Sequence, residues 1–120
     1  MEYFEAQNEL REELHRLHAD VCSALADPNR IFILYNLADG PKNVSELIKT
    51  LDLTQPSVSR NLKILKEKNM VVSERSGKSI YYRLKDDRVI DALDLLREVL
   101  QDNLSSQAAL AQAARNLRNE

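Results

Sequence analysis

The sequence predicts a mainly α fold with some β structure: a helix-turn-helix and a two-stranded β-hairpin set between long terminal helices. Three observations lead there. Apolar residues recur at spacings of three and four over most of the chain. Only two Gly and three Pro interrupt it. One segment, residues 71–84, switches to the alternation of strands. With 120 residues, 43% of them hydrophobic and 30% charged, the composition is globular, and a single domain over 1–120 is expected.

The first helix is expected over 3–26, with Leu10, Leu14, Leu17, Val21 and Leu25 on one stripe. Asp27 can cap the next helix and Pro28 can occupy its first position. That helix carries Ile31, Leu34, Tyr35 and Leu37, and it stops at Gly40-Pro41. Asn43 followed by Glu46 reads as a variant capping box, opening a short helix through Leu51 with Val44, Leu47, Ile48 and Leu51 inward. After the short break "DLT", Thr54 caps a helix over 54–68 that turns Val58, Leu62 and Leu65 to the core. Asn69 ends it in the left-handed conformation. Two helices joined by so tight a turn form a helix-turn-helix.

"VVSER" and "SIYYRL" then pair across the tip "SGK", with Ile80, Tyr82 and Leu84 on one face and Tyr81, Arg83 and Lys85 on the other. A final helix is expected over 86–117, striped by Val89, Leu93, Leu96, Leu100 and Leu104. Residues 103–106 are a place where it could break.

No apolar run approaches the roughly 20 residues of a membrane span. The acidic N-terminus lacks the features of a signal peptide, so a cytoplasmic protein is expected. Cys22 is the only cysteine, which rules out an intramolecular disulfide, and it reads as a small buried or half-buried residue. His15 and His18 stand at i, i+3, but a zinc site there would need further ligands from Glu12 or a partner chain. They read as solvated side chains. There is no nucleophile–base pair, Gly-rich phosphate loop or metal constellation, so neither an enzyme nor a cofactor is expected.

Charge is the informative feature. The chain carries a net −2, yet Leu53 to Leu84 holds Arg60, Lys63, Lys66, Lys68, Arg75, Lys78 and Arg83 against Glu67 and Glu74 alone. A charge run is usually just a solvated face. Here it lies on a helix-turn-helix and a hairpin, and the combination points to a polyanion. The outer face of the helix over 54–68 is expected to present Gln55, Ser57, Ser59, Arg60, Asn61 and Lys63. Small hydroxyl and amide side chains permit close approach to base edges, which Arg and Gln can read with paired hydrogen bonds. Lys63, Lys66, Arg75 and Lys78 have the reach to neutralise phosphates, and the hairpin tip suits the DNA backbone or the minor groove.

"LADPNRIFILYNLADG", "VSELIKTLDLTQPSVSRNLKILKEKNMV" and "GKSIYYRL" resemble the ArsR/SmtB family of winged-helix repressors, over about Val21 to Leu100. The resemblance implies a homodimer that grips an inverted-repeat operator in double-stranded DNA with two recognition helices and releases it on binding an effector. The hairpin at 71–84 would be the wing. Many members of the family sense metals. Their thiolate motif would fall at Asn43 and Ser45, and their C-terminal site at Asp86 with residues near Arg88, Val99 and Asp102. Asn and Ser do not bind soft metals, the second set offers two carboxylates and no His, and the paired cysteines of redox-sensing members are missing. No metal site is expected, and the effector stays unidentified.

Pairing of two chains is expected through Leu10, Leu14 and Leu17 with Leu93, Leu96 and Leu100, because a core this small leaves such stripes partly uncovered. The other outcome is that the two stripes only cover each other within one chain. A rival function is a winged-helix interaction module whose basic face docks an acidic protein. Preference for one duplex over scrambled DNA separates the two.

Overall fold

A computed structural model of the chain describes residues 2–119. It contains α1 (Glu2–Leu25), α2 (Pro28–Leu37), β1 (Lys42–Asn43), α3 (Val44–Leu51), α4 (Gln55–Glu67), β2 (Val71–Ser76), β3 (Ser79–Leu84) and α5 (Arg88–Arg118). The chain divides into two compact units, one running to Asp87 and the other being the segment from Arg88 onward.

In the first unit the helix starts are set by local hydrogen bonds. Asp27 lies in extended backbone and its carboxylate accepts from the Asn29 N–H at 2.9 Å, with Pro28 in the first turn of α2. Asn43 accepts from the Glu46 N–H at 2.9 Å to open α3, and Thr54 accepts from the Ser57 N–H at 3.3 Å to open α4. Asn69, at φ 60°, closes α4. Its N–H reaches the Lys66 carbonyl at 3.1 Å and that of Met70 reaches Leu65 at 2.9 Å, the paired bonds of a Schellman end. The chain thus leaves α4 already aimed into β2.

The sheet has three strands rather than two, in the order β1-β3-β2, both pairs antiparallel. Ser76 faces Ser79 across a two-residue turn, where Gly77 takes φ 63°. The unexpected strand is β1, which sets Lys42 opposite Tyr82 and Asn43 opposite Tyr81. It occupies an edge of β3 that would otherwise present unpaired backbone groups. Asn43 is therefore the last residue of a strand and the cap of a helix at once.

The core of this unit gathers Ala24 of α1, Ile33, Leu34 and Leu37 of α2, Leu47 of α3, Val58, Leu62 and Leu65 of α4, Val71 of β2 and Leu84 of β3. Ile33 was absent from the expected stripe of α2. On β3 the expected inward face holds only in part: Leu84 is buried, Tyr82 half-buried, and Ile80 is 41% exposed near the hairpin tip. Cys22 is exposed, which corrects its reading as a buried or half-buried residue.

The second unit is one unbroken helix, α5, and residues 103–106 do not interrupt it. At 31 residues it spans roughly 46 Å at the usual helical rise. Its first turns bury Leu93. No helix among the described residues is long and apolar enough to cross a membrane.

Candidate nucleic-acid interface

Helix α4 is positioned by its buried stripe, Val58, Leu62 and Leu65, so its opposite side must face out. There Gln55, Ser59, Arg60 and Lys63 are exposed and Ser57 is half-buried. Arg75 on β2 and Lys78 in the turn are exposed on the hairpin. Arg83, on β3, is instead engaged with Glu74 at 3.5 Å across the hairpin. It is less available to an external anion than Arg75 or Lys78.

Asn61 corrects the expected face. It is 0% exposed and belongs to the core. Its Oδ1 accepts from Arg30 Nη1 at 3.0 Å, and its Nδ2 donates to Ser57 Oγ at 3.5 Å. Arg30 also donates from Nε to the Ala24 carbonyl at 3.1 Å, in the last turn of α1. A buried amide demands such partners, and among the described residues no buried side-chain N or O lacks one. Asn61 therefore cannot meet a base edge without leaving the core.

A further group of residues lies beside the hairpin tip. Asn43, Val44, Ser45, Lys78, Ser79, Ile80 and Tyr82 line an open hollow of about 260 Å³. It brings the start of α3 beside the hairpin ammonium, a setting of N–H, hydroxyl and cationic donors suited to a phosphate. Ser45 and Ser79 did not stand out in the sequence. Only the pairing of β1 with β3 brings them together.

The residues expected in dimer contacts lie on both units. On α1, Leu10, Leu14 and Leu17 are all exposed, and a groove of about 490 Å³ runs past Gln7, Leu10, Arg11, Leu14, His15 and His18. On α5, Leu96 and Leu100 are exposed, whereas Leu93 is buried, which corrects its place on an uncovered stripe.

A helix-turn-helix followed by a hairpin beside its second helix, with cations on both, defines the winged helix-turn-helix class. The family model described as "Bacterial regulatory protein, arsR family" matches residues 27–73. The biofilm growth-associated repressor of Agrobacterium fabrum is 37% identical over 89 residues, covering 72% of this chain and 76% of the relative. The HTH-type transcriptional regulator NmtR of Mycobacterium tuberculosis is 40% identical over 76 residues, covering 63% of each chain. The chain thus spans less than two thirds of that relative's length. Among solved structures, the homodimeric winged helix-turn-helix DNA-binding domain Mb0332 of Mycobacterium bovis superposes with a TM-score of 0.68 at 30% identity, covering 78% of this chain and 86% of that one. The chain belongs to the ArsR family.

Proposed function

We propose that this protein is a homodimeric, sequence-specific DNA-binding repressor of transcription, with α4 as the base-reading helix and the β2–β3 hairpin as a wing on the phosphate backbone. The observation that carries this reading is the joint exposure of Gln55, Ser59 and Arg60 on the first turns of α4 and of Arg75 and Lys78 on the hairpin. The first turns of a recognition helix are the part that enters the major groove. In a chain of net charge −2, gathering cations on these two elements gives DNA a favourable face while the remaining surface repels it. Two-fold pairing through the exposed leucines of α1 and α5 would present two such helices to inverted half-sites about one helical turn apart. The names of its relatives, several of them repressors, support the same reading.

The experiment is selection of bound duplexes from genomic fragments, followed by competition with scrambled DNA of equal length. One enriched inverted repeat is the expected result. Binding that is equal on all sequences, with tight binding to an acidic protein instead, would favour the interaction-module reading.

The metal sites that the family resemblance implies are not matched by the residues here. Asn43 offers no thiolate, and its side-chain oxygen is already committed to the Glu46 N–H. At the C-terminal position, Arg88 is a cation and Val99 has no donor atom. Zinc, cadmium or arsenite is therefore expected to leave operator affinity within about twofold, since a coupled effector typically moves it 5–150-fold. Titration of the operator complex with each metal checks this. Release by metal that persists after replacement of both His15 and His18 would contradict it.

A further inference from the structure

Arg30 and Asn61 form a relay that starts at the end of α1 and finishes beneath the exposed face of α4. A guanidinium carries donors only, so the amide of Asn61 has to turn its oxygen to Arg30. Its nitrogen then has to face Ser57, one turn earlier on the same helix, and donate to Oγ. With that lone pair engaged from inside, the hydroxyl proton of Ser57 is free to be donated outward. The backbone N–H of Ser57 is held by Thr54, which fixes this first turn. Arg30 meanwhile satisfies the Ala24 carbonyl, one of the last acceptors of α1, and so ties that helix to α4.

We infer that Arg30 and Asn61 are positioning residues for DNA reading: they lock α4 to the end of α1 and set the Ser57 hydroxyl as a hydrogen-bond donor toward DNA. This rests on the reading of α4 as the recognition helix. A donor facing the groove selects acceptors, such as the N7 and O6 of guanine or the O4 of thymine, over the exocyclic amino groups. The buried pair would thus influence which base is preferred without touching it.

The decisive variant is Asn61→Asp. It keeps an acceptor for Arg30 but places an acceptor against Ser57 as well, which draws the hydroxyl proton inward. The thermal midpoint and the salt dependence of affinity are expected to hold at wild-type values or better. The affinity ratio of operator to scrambled duplex is expected to fall about tenfold, the upper end of what one hydrogen bond contributes. In a Ser57→Ala background the same change should have no further effect on the ratio, because its route is gone.

A folded Asn61→Asp protein that keeps the wild-type ratio, or that lowers it equally without Ser57, overturns the inference. Should Asn61→Asp fail to fold, the pair Arg30→Met with Asn61→Leu removes both partners of the buried Arg30–Asn61 bond together, though it leaves the Ala24 carbonyl without its Arg30 donor, so a lowered melting midpoint is expected. Measured well below that midpoint it is expected to lose the preference, and a folded double variant that retains the wild-type ratio overturns the inference equally. A wild type that prefers no duplex sinks the repressor reading itself, and this inference with it.

Discussion

Replacing Leu14 and Leu96 by Asp is expected to give a monomer at micromolar concentration and to lower affinity for a two-half-site operator at least 100-fold. The argument starts from what these residues do in one chain, which is little: Leu14 is 50% and Leu96 57% exposed, and their stripe neighbours Leu10, Leu17 and Leu100 are similar. Burying a leucine fully is worth about 1.5–3 kcal/mol, so four side chains already about half covered contribute roughly 3–6 kcal/mol across a two-fold. A micromolar dimer needs about 8 kcal/mol, so these side chains supply a large share of what association requires. Carboxylates in their place forfeit that burial and repel their symmetry mates. The loss on DNA follows from linkage, because a second attached recognition helix binds at high effective concentration and raises affinity by 10²–10⁴. Sedimentation measures the first part and titration of operator DNA the second. A wild type that sediments as monomer, or a double variant that stays dimeric, would contradict the account.

Leu62→Ala is expected to cost about 2–5 kcal/mol of stability while leaving DNA preference intact well below the melting range. Leu62 is on the inward side of α4, between Val58 and Leu65, and is effectively without solvent contact. Truncation there opens a cavity in the core that α4 shares with α2 and α3, where close-packed neighbours relax only partly. At roughly 4 °C per kcal/mol for a domain of this size, the midpoint should fall by about 8–20 °C. The outer face of α4 keeps its residues, so the ratio of operator to scrambled affinity at 10 °C should stay within twofold. Thermal melts and cold binding assays check the two halves separately. A cold-stable Leu62→Ala protein that has lost its preference would mean that the two faces of α4 are not separable.

What could be read from the sequence was what is local. Asp27, Asn43 and Thr54 each bond an N–H two or three residues away, so their type and position alone announce the helix starts. Asn69 marks the end of α4 for the same reason, through its tolerance of positive φ. The basic face was legible because Val58, Leu62 and Leu65 declare the opposite side. What was missed depends on partners far along the chain. Asn61 is three residues from Val58 and four from Leu65, a core spacing, but its polarity suggested the outer face. Its burial makes sense only with Arg30, 31 positions earlier. The strand β1 is two residues long, too short to show alternation, and exists because β3 offers it an edge. Nor can a single chain's periodicity say whether a stripe such as Leu10, Leu14 and Leu17 is covered from within or by a partner.

The central claim is that α4 reads bases while the wing holds phosphates. Arg60→Ala and Lys78→Ala, measured on operator and scrambled duplexes across a salt series, test it most directly, since both side chains are exposed and neither belongs to the core. Arg60→Ala is expected to cost about 1–3 kcal/mol on the operator, little on scrambled DNA, and to relax preference at one position in each half-site. Lys78→Ala is expected to weaken both duplexes alike and to reduce the magnitude of the slope of log affinity against log salt by about one unit per phosphate released. If the two variants lose the same affinity on every sequence, with the same change of slope, α4 and the wing form one unspecific polyanion surface, and the assignment of α4 as a reading helix is wrong.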